Sequence, residues 1–302
     1  MTDYEVIGID HGYKNIKTAH CIFPTAISEI ETVPDDKEGI LEYNGKVYTI
    51  DGKKVLSVAV HDKSTSEEFY LLTLVALAKE LSYRHRRKVN VYIGAGLPVR
   101  WFDAQQESFR SMLMQHRQLH FTFEGTAYDI TILDAKIFKQ GAAAYIFAAG
   151  DNSNCLIVDI GGETIDIIPV EDRKFTKSEC KISTNATIWL IKMIQEKVES
   201  ELYERIEERE IIKAIIEGPL HPEDEYLKIV YKCLTDYCTE QVYNMLREYK
   251  YNLSRTRLLF VGGGAAVIKN YGSPERYNAT CLMDINANAK GYEALYLKRL
   301  KR

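Results

Sequence analysis

The sequence predicts an α/β protein built as two similar lobes, and three observations carry that prediction. Strand-like and helix-like stretches alternate along its 302 residues. An apolar strand pattern ending in Asp-x-Gly occurs twice, as VIGIDHG at residues 6–12 and LIVDIGG at residues 156–162, the mark of an internal duplication. A third apolar run, residues 258–261, leads into Gly262-Gly263-Gly264.

The elements follow in order. Residues 4–9 form a β-type run that stops at Asp10 and Gly12, and residues 19–27 read as a second strand. The pairs Asn44-Gly45 and Asp51-Gly52 are hairpin turns, and they divide residues 40–43, 47–50 and 55–60 into a meander. In residues 66–82 the apolar side chains, among them Phe69, Leu72, Val75 and Leu77, keep a helical period, with Thr65 or Ser66 as the cap. A buried strand at residues 89–93 ends at Gly94, Gly96 and Pro98. A polar helix at 103–116, strands at 121–123 and 128–133, and an Ala-rich helix at 140–149 complete the first half. The polar break Asp151-Asn152-Ser153-Asn154 precedes a strand at 155–158, its turn Asp159, Gly161, Gly162, and a returning strand at 164–170. Helices occupy most of residues 185–249, and a last helix spans about 287–300. The domain expectation is a first lobe at 1–150 with an inserted hairpin subdomain at about 31–62, a second lobe at 151–282, and a segment 283–302 whose helix returns to the first lobe.

Charge narrows the function. Lys plus Arg number 39 against 43 Asp plus Glu, a formal net charge of −4, which argues against a dedicated DNA or RNA binder. The six cysteines form no C-x-x-C pair and read as reduced thiols, so a cytoplasmic location is expected. The first residues have no secretory pattern and no run of 18 apolar residues occurs, so neither secretion nor membrane spanning is expected.

A strand that ends in Asp-x-Gly and turns back aims successive backbone N–H groups into one small volume, and glycine removes the Cβ that would hold a phosphate away. Two such turns facing each other clamp a polyphosphate. Asp10 and Asp159 would then be hard oxygen ligands of Mg²⁺, directly or through water. Lys17, on the strand returning from Asp10, can reach phosphate oxygens. Gly262, Gly263 and Gly264 offer a flat backbone surface to a purine, with the next helix N-terminus near the phosphates. One Asp-x-Gly alone is only a turn; three glycine turns in this order shift the expectation toward a nucleotide site. Neither a Walker A sequence nor G-x-G-x-x-G is present.

These motifs resemble those of the actin-like ATPase superfamily, which also holds the large heat-shock chaperones and sugar kinases. Asp10-His11-Gly12-Tyr13-Lys14-Asn15-Ile16-Lys17 is similar to its first phosphate motif, Asp159-Ile160-Gly161-Gly162-Glu163-Thr164-Ile165-Asp166 to its second, and residues 261–266 to its adenosine motif. The Asn-Ile-Lys ending of the first motif, the Gly96-Leu97-Pro98 turn and the stretch from Asn286 to Tyr292 point to the ParM-type plasmid-segregation actins. The resemblance implies the duplicated two-lobe α/β fold of actins, heat-shock chaperones and ribonuclease H-like proteins, with a nucleotide cleft between the lobes. It implies ATP, with GTP as the alternative, bound with Mg²⁺ and hydrolysed as head-to-tail filaments turn over. It also implies a DNA-binding adaptor on a centromere-like site, with no direct contact to nucleic acid or membrane. By the same resemblance Gln140 positions the attacking water, which an amide cannot deprotonate, and Asp159 orders water through Mg²⁺. Two departures stand out. Tyr13 replaces a small hydroxyl residue, and Glu163 sets a negative charge near the terminal phosphate. The rival readings are a small-molecule kinase on the same fold and a cytoskeletal or regulatory relative outside segregation.

Other features receive plainer expectations. His116 and His120 have the spacing of helical metal ligands but lack a third partner, and read as surface residues. The run from Arg84 to Lys88 reads as a solvated helix end, and the Glu-rich residues 196–210 as a solvated helix face. Glu217 is a candidate ribose contact in the second lobe.

Overall fold

The computed structural model describes residues 4–50, 62–99, 101–141, 143–145, 154–171, 174–175, 180–220, 223–249 and 251–301. The expected strand at 55–60, the turn Asp51-Gly52 and residues 151–153 of the polar break lie outside them. The chain divides into two compact units, Met1–Ala148 with Asn286–Arg302, and Ala149–Ile285.

Among the described residues of the first unit, nine strands make one sheet: β1 (Tyr4–His11), β2 (Asn15–Lys17), β3 (Ile22–Pro24), β4 (Ser28–Ile30), β5 (Ile40–Tyr43), β6 (Lys46–Thr49), β7 (Lys88–Leu97), β8 (Gln118–Phe123) and β9 (Thr126–Lys139). Their order is β3-β2-β1-β7-β9-β8-β5-β6-β4. The centre, β1 on β7 on β9, is parallel, and its strands are the apolar ones: Ile7, Ile9, Val91, Ile93 and Ala95 are fully buried. The outer strands pair antiparallel, joined at β5–β6 by the predicted Asn44-Gly45 turn. Helix α1 (Glu67–Tyr83) starts at Ser66, whose hydroxyl accepts the Phe69 N–H at 3.4 Å, and packs into the core beside α2 (Phe102–Leu113).

Helix α8 (Ala287–Leu300) lies across β1 and β7 at a glycine seat. A Cβ on Gly8 would run into the carbonyl of Ala289, 2.8 Å from its carbon, and one on Gly96 would stand 2.7 Å from Tyr292 Cε1. Gly94 and Gly96 therefore do not end β7, as the sequence suggested. The strand runs on to Leu97, and its glycines admit the helix. Val6, Phe138, Ala143, Tyr292 and Tyr296 fill the seam. Arg84 is the polar tie. Its guanidinium reaches Glu80 at 2.8 Å, Glu5 at 3.0 Å, the Val6 carbonyl at 3.0 Å and Glu293 at 2.8 Å, so it joins α1, β1 and α8 and is not a solvated helix end. Burial pushes the Glu293 carboxyl up; for Glu80, burial is outweighed by donors from Thr18, His20 and Arg84, which hold its carboxyl below the usual range.

Strand β9 also outruns its expected end. Parallel pairing with β7 carries it to Lys139 through a bulge opposite Val91/Tyr92. Gln140 thus follows a strand and precedes a turn at Gly141, whose φ is +70°; helical structure is described at residues 143–145, and residues 142 and 146–149 lie outside the described set.

The second unit repeats the plan on a smaller sheet. Strands β10 (Cys155–Ile160) and β11 (Ile165–Glu171) form a hairpin, β12 (Lys174–Phe175) and β13 (Lys181–Ser183) pair with β11, and β14 (Leu258–Val261) and β15 (Ala279–Cys281) extend the sheet in parallel from β10. Around them lie α3 (Thr187–Leu202), α4 (Glu208–Glu217), α5 (Glu225–Asp236), a π-helical stretch at Tyr237–Tyr243, α6 (Asn244–Glu248) and α7 (Ala265–Tyr271). The Glu-rich region divides at Tyr203, the left-handed cap of α3, and restarts with a Glu207/Glu210 capping box on α4.

Candidate functional site

In the first unit the site grows from the end of β1. Asp10 is 2% exposed. The antiparallel register sets it opposite Lys17, whose Nζ donates to Oδ2 at 3.3 Å. Where β9 ends, the Gln140 backbone N–H donates to the Leu97 carbonyl at 2.9 Å, and its side-chain Nε2 donates to Asp10 Oδ1 at 3.2 Å. A neighbour on the hairpin and a residue 130 positions away thus both donate to one buried carboxylate.

The turn itself departs from expectation in one respect. The Gly12 N–H is used internally, on the Asp10 carbonyl at 3.0 Å, and the Gly12 carbonyl accepts from Thr25 Oγ1 at 2.7 Å. A Cβ at Gly12 would lie 2.5 Å from the Asn15 carbonyl oxygen, so glycine is needed here for the chain's own passage past Asn15. Lys14 follows in the turn, its carbonyl bound by the Thr25 N–H at 3.0 Å.

Behind the turn, His11 Nε2 bonds Thr73 Oγ1 at 2.9 Å, and the ring meets Phe109 edge to face at 5.2 Å. Burial, then the Lys63 charge, lower its pKa to about 3, so the imidazole is neutral near pH 7. Lys63 begins a short 3-10 turn, Lys63–Thr65, capped by Asp62. It is buried, donates to the His11 carbonyl, and stands 4.3 Å from the Tyr13 ring centroid and 5.5 Å from that of Phe69. Sequence reasoning missed it, because a lone lysine in Asp-Lys-Ser-Thr-Ser looks like a solvated loop.

In the second unit Asp159 is 5% exposed and sits opposite Asp166 in the β10–β11 register. Gly161 closes the hairpin on the Thr164 carbonyl at 2.9 Å, and the carbonyls of Gly161 and Gly162 accept the first N–H groups of α3, from Thr187 at 3.2 Å and Ile188 at 2.8 Å. Glu163 is half-buried in this turn, and Thr164 donates its hydroxyl to Asp166 at 2.9 Å. The glycine turn lies directly against it. Gly262 has φ +84°, a Cβ there would be 2.5 Å from Asp159 Oδ1, and the Gly264 N–H donates to the Ile160 carbonyl at 2.9 Å. Only at Gly263, of these three, would a Cβ meet nothing within 4 Å, so this turn has one open backbone face.

Glu217 is not brought to that turn. It ends α4 and pairs with Lys213 at 3.9 Å, while the next residue, Gly218, packs on Asn270 near the opposite end of α7. Glu217 lines a separate groove of about 500 Å³ with Tyr226 and Tyr231. The two spaced histidines do not share a helix either: His116 lies beyond α2, and His120 is in β8, 3.3 Å from Asp129. Among the described residues, no group of three or more His, Cys, Asp or Glu gathers for a metal, and no helix is long and apolar enough to cross a membrane.

Acidic strand-end turns repeated in two α/β units, with a glycine turn beside the second, define the actin-like architecture, and the chain is an actin-like protein in fold. Its residues 8–142 match the family described as the N-terminal domain of actin-like proteins. Among solved structures, the archaeal actin homologue Ta0583 superposes with a TM-score of 0.76 at 20% identity, covering 97% of this chain and 99% of that one. The psk41 ParM protein gives 0.74 at 19% identity with 100% of both chains covered, and the Bacillus thuringiensis ParM solved with ATP gives 0.74 at 15%, again over 100% of both. No curated protein matches the chain in sequence.

Proposed function

We propose that this chain is a polymerising ATPase of the ParM type, which binds ATP with Mg²⁺ and forms head-to-tail filaments that segregate DNA through a DNA-binding adaptor. The observation that carries the reading is the cluster at Asp10, where Lys17 and Gln140 both donate to one buried carboxylate at a strand-end turn.

The residues fit the nucleotide and the ion. Asp10 and Asp159 are hard oxygen donors at strand ends, as Mg²⁺ prefers, and the bound ion would neutralise charge on the phosphates. Lys17 offers a cation beside Asp10. Gly263 offers an open backbone face for a flat base. Gln140, with Nε2 committed to Asp10, has its Oε1 to accept a hydrogen bond from water and orient it, without taking the proton. Relatives of this fold were solved with ADP, with ATP and as a filament, which supports nucleotide binding and self-association here. A filament follows from a heterologous contact that does not close.

The test is light scattering and pelleting with and without Mg-ATP, alongside phosphate release. Magnesium- and nucleotide-dependent scattering above a critical concentration is expected. Phosphorylation of an added metabolite without scattering would favour a kinase and overturn the reading.

A further inference from the structure

The geometry points to Lys63 as a positioning residue of the first phosphate turn: its ammonium fixes the His11–Gly12 peptide and the Tyr13 ring, and so presents the turn to the phosphate chain of a nucleotide. This inference rests on the nucleotide reading of the site. A buried ammonium costs several kcal/mol unless well partnered, so its location carries information. Lys63 is 3% exposed, yet it stands at the turn and not on the surface of its loop. Its partners include two parts of the turn, the His11 carbonyl oxygen and the face of the Tyr13 ring.

The consequence lies in two successive peptide planes. The peptide between His11 and Gly12 has its N–H on the Asp10 carbonyl and its C=O on Lys63. The following peptide has its C=O on Thr25 Oγ1. With both carbonyls held by donors of the chain itself, two consecutive peptide planes are set before any ligand arrives, and a preset plane adds to anion affinity by sparing the cost of ordering. The cation over Tyr13 also gives that residue a use in the turn that a small hydroxyl residue would not have. Because Lys63 opens the 3-10 turn that leads through Ser66 into α1, the first turn is tied to that helix as well as to the sheet.

Two readouts test this on the full chain: hydrogen–deuterium exchange of residues 10–17 without nucleotide, and equilibrium binding of a fluorescent ATP analogue. Lys63→Met is expected to speed exchange in that segment and weaken binding by about tenfold, while Lys63→Arg keeps both near the parent. If Lys63→Met does not fold, Tyr13→Leu removes the ring beneath the ammonium and is expected to speed the same exchange. A parent that binds the analogue, with Lys63→Met matching it in both readouts, overturns the role of Lys63. A parent that binds no nucleotide overturns the site reading instead, and the exchange data then decide the turn alone.

Discussion

Gly8→Ala tests the seat of α8 most directly. The new methyl would stand on the Ala289 carbonyl, 2.8 Å from its carbon and 3.1 Å from the Glu293 nitrogen. Ordinary contacts between such atoms need about 3.5 Å or more, so the helix must lift by roughly 1 Å. That loosens the seam of Val6, Phe138, Ala143, Tyr292 and Tyr296 and pulls on the 2.8 Å bond from Arg84 to Glu293. Overpacking of this kind costs about 1–3 kcal/mol, and the strained ion pair places the expectation near the upper end. For a unit of this size the first transition should fall by roughly 6–12 °C. The chain has two tryptophans, Trp101 in the first unit and Trp189 in the second, so a Trp189→Phe background lets fluorescence report the first unit alone. Gly263→Ala, with nothing within 4 Å, is the control and should change stability by no more than about 0.5 kcal/mol. Alanine is the better residue by conformational entropy, so a Gly8→Ala chain as stable as the parent, or more so, refutes the close approach of α8.

Acid should weaken the protein through His11. Its folded pKa of about 3 lies below the ordinary histidine value of 6.5, so the unfolded chain binds more protons between these values and stability falls as pH drops through that window. The slope from this one group reaches about 1.4 kcal/mol per pH unit, and urea midpoints of His11→Gln from pH 7 to pH 5 should decline less than those of the parent. Arg84→Met should destabilise the first unit by about 3–5 kcal/mol, because it strands Glu80 and Glu293 without their shared cation; an unchanged melting curve contradicts the tie. Gln140→Ala should slow phosphate release and prolong scattering in a pelleting assay, and release at the parent rate would remove the residue from water positioning.

The parts legible in the sequence were those with a strong local cause. The strand–Asp–x–Gly echo placed β1 and β10, the Asn44-Gly45 turn placed β5 and β6, and the helical period placed α1. What escaped depends on distant neighbours. Gly94 and Gly96 look like strand breakers until Tyr292 is seen over them. The second half of β9, Asp134-Ala135-Lys136, loses its alternation at a bulge and is held by β7. Within the candidate site, Asp10 and Lys17 could be named from the strand-end motif and Gln140 from the family resemblance, and the structure brings the three together. Lys63 and Arg84 could not be named, since a charged residue in a polar run carries no mark of the partners that will bury it. Glu217 shows the reverse case, a carboxylate picked by position along the chain whose helix delivers it to another groove.

The seat of α8 also has a consequence during synthesis. The groove at Gly8 and Gly96 is filled by residues made after the whole of the second unit, so the first unit cannot finish when its own strands leave the ribosome. At bacterial or eukaryotic elongation speeds the wait is on the order of ten seconds. For that interval Val6, Tyr92 and Phe138 have no α8 to cover them, so the nascent chain carries an apolar strip that closes only when α8 emerges.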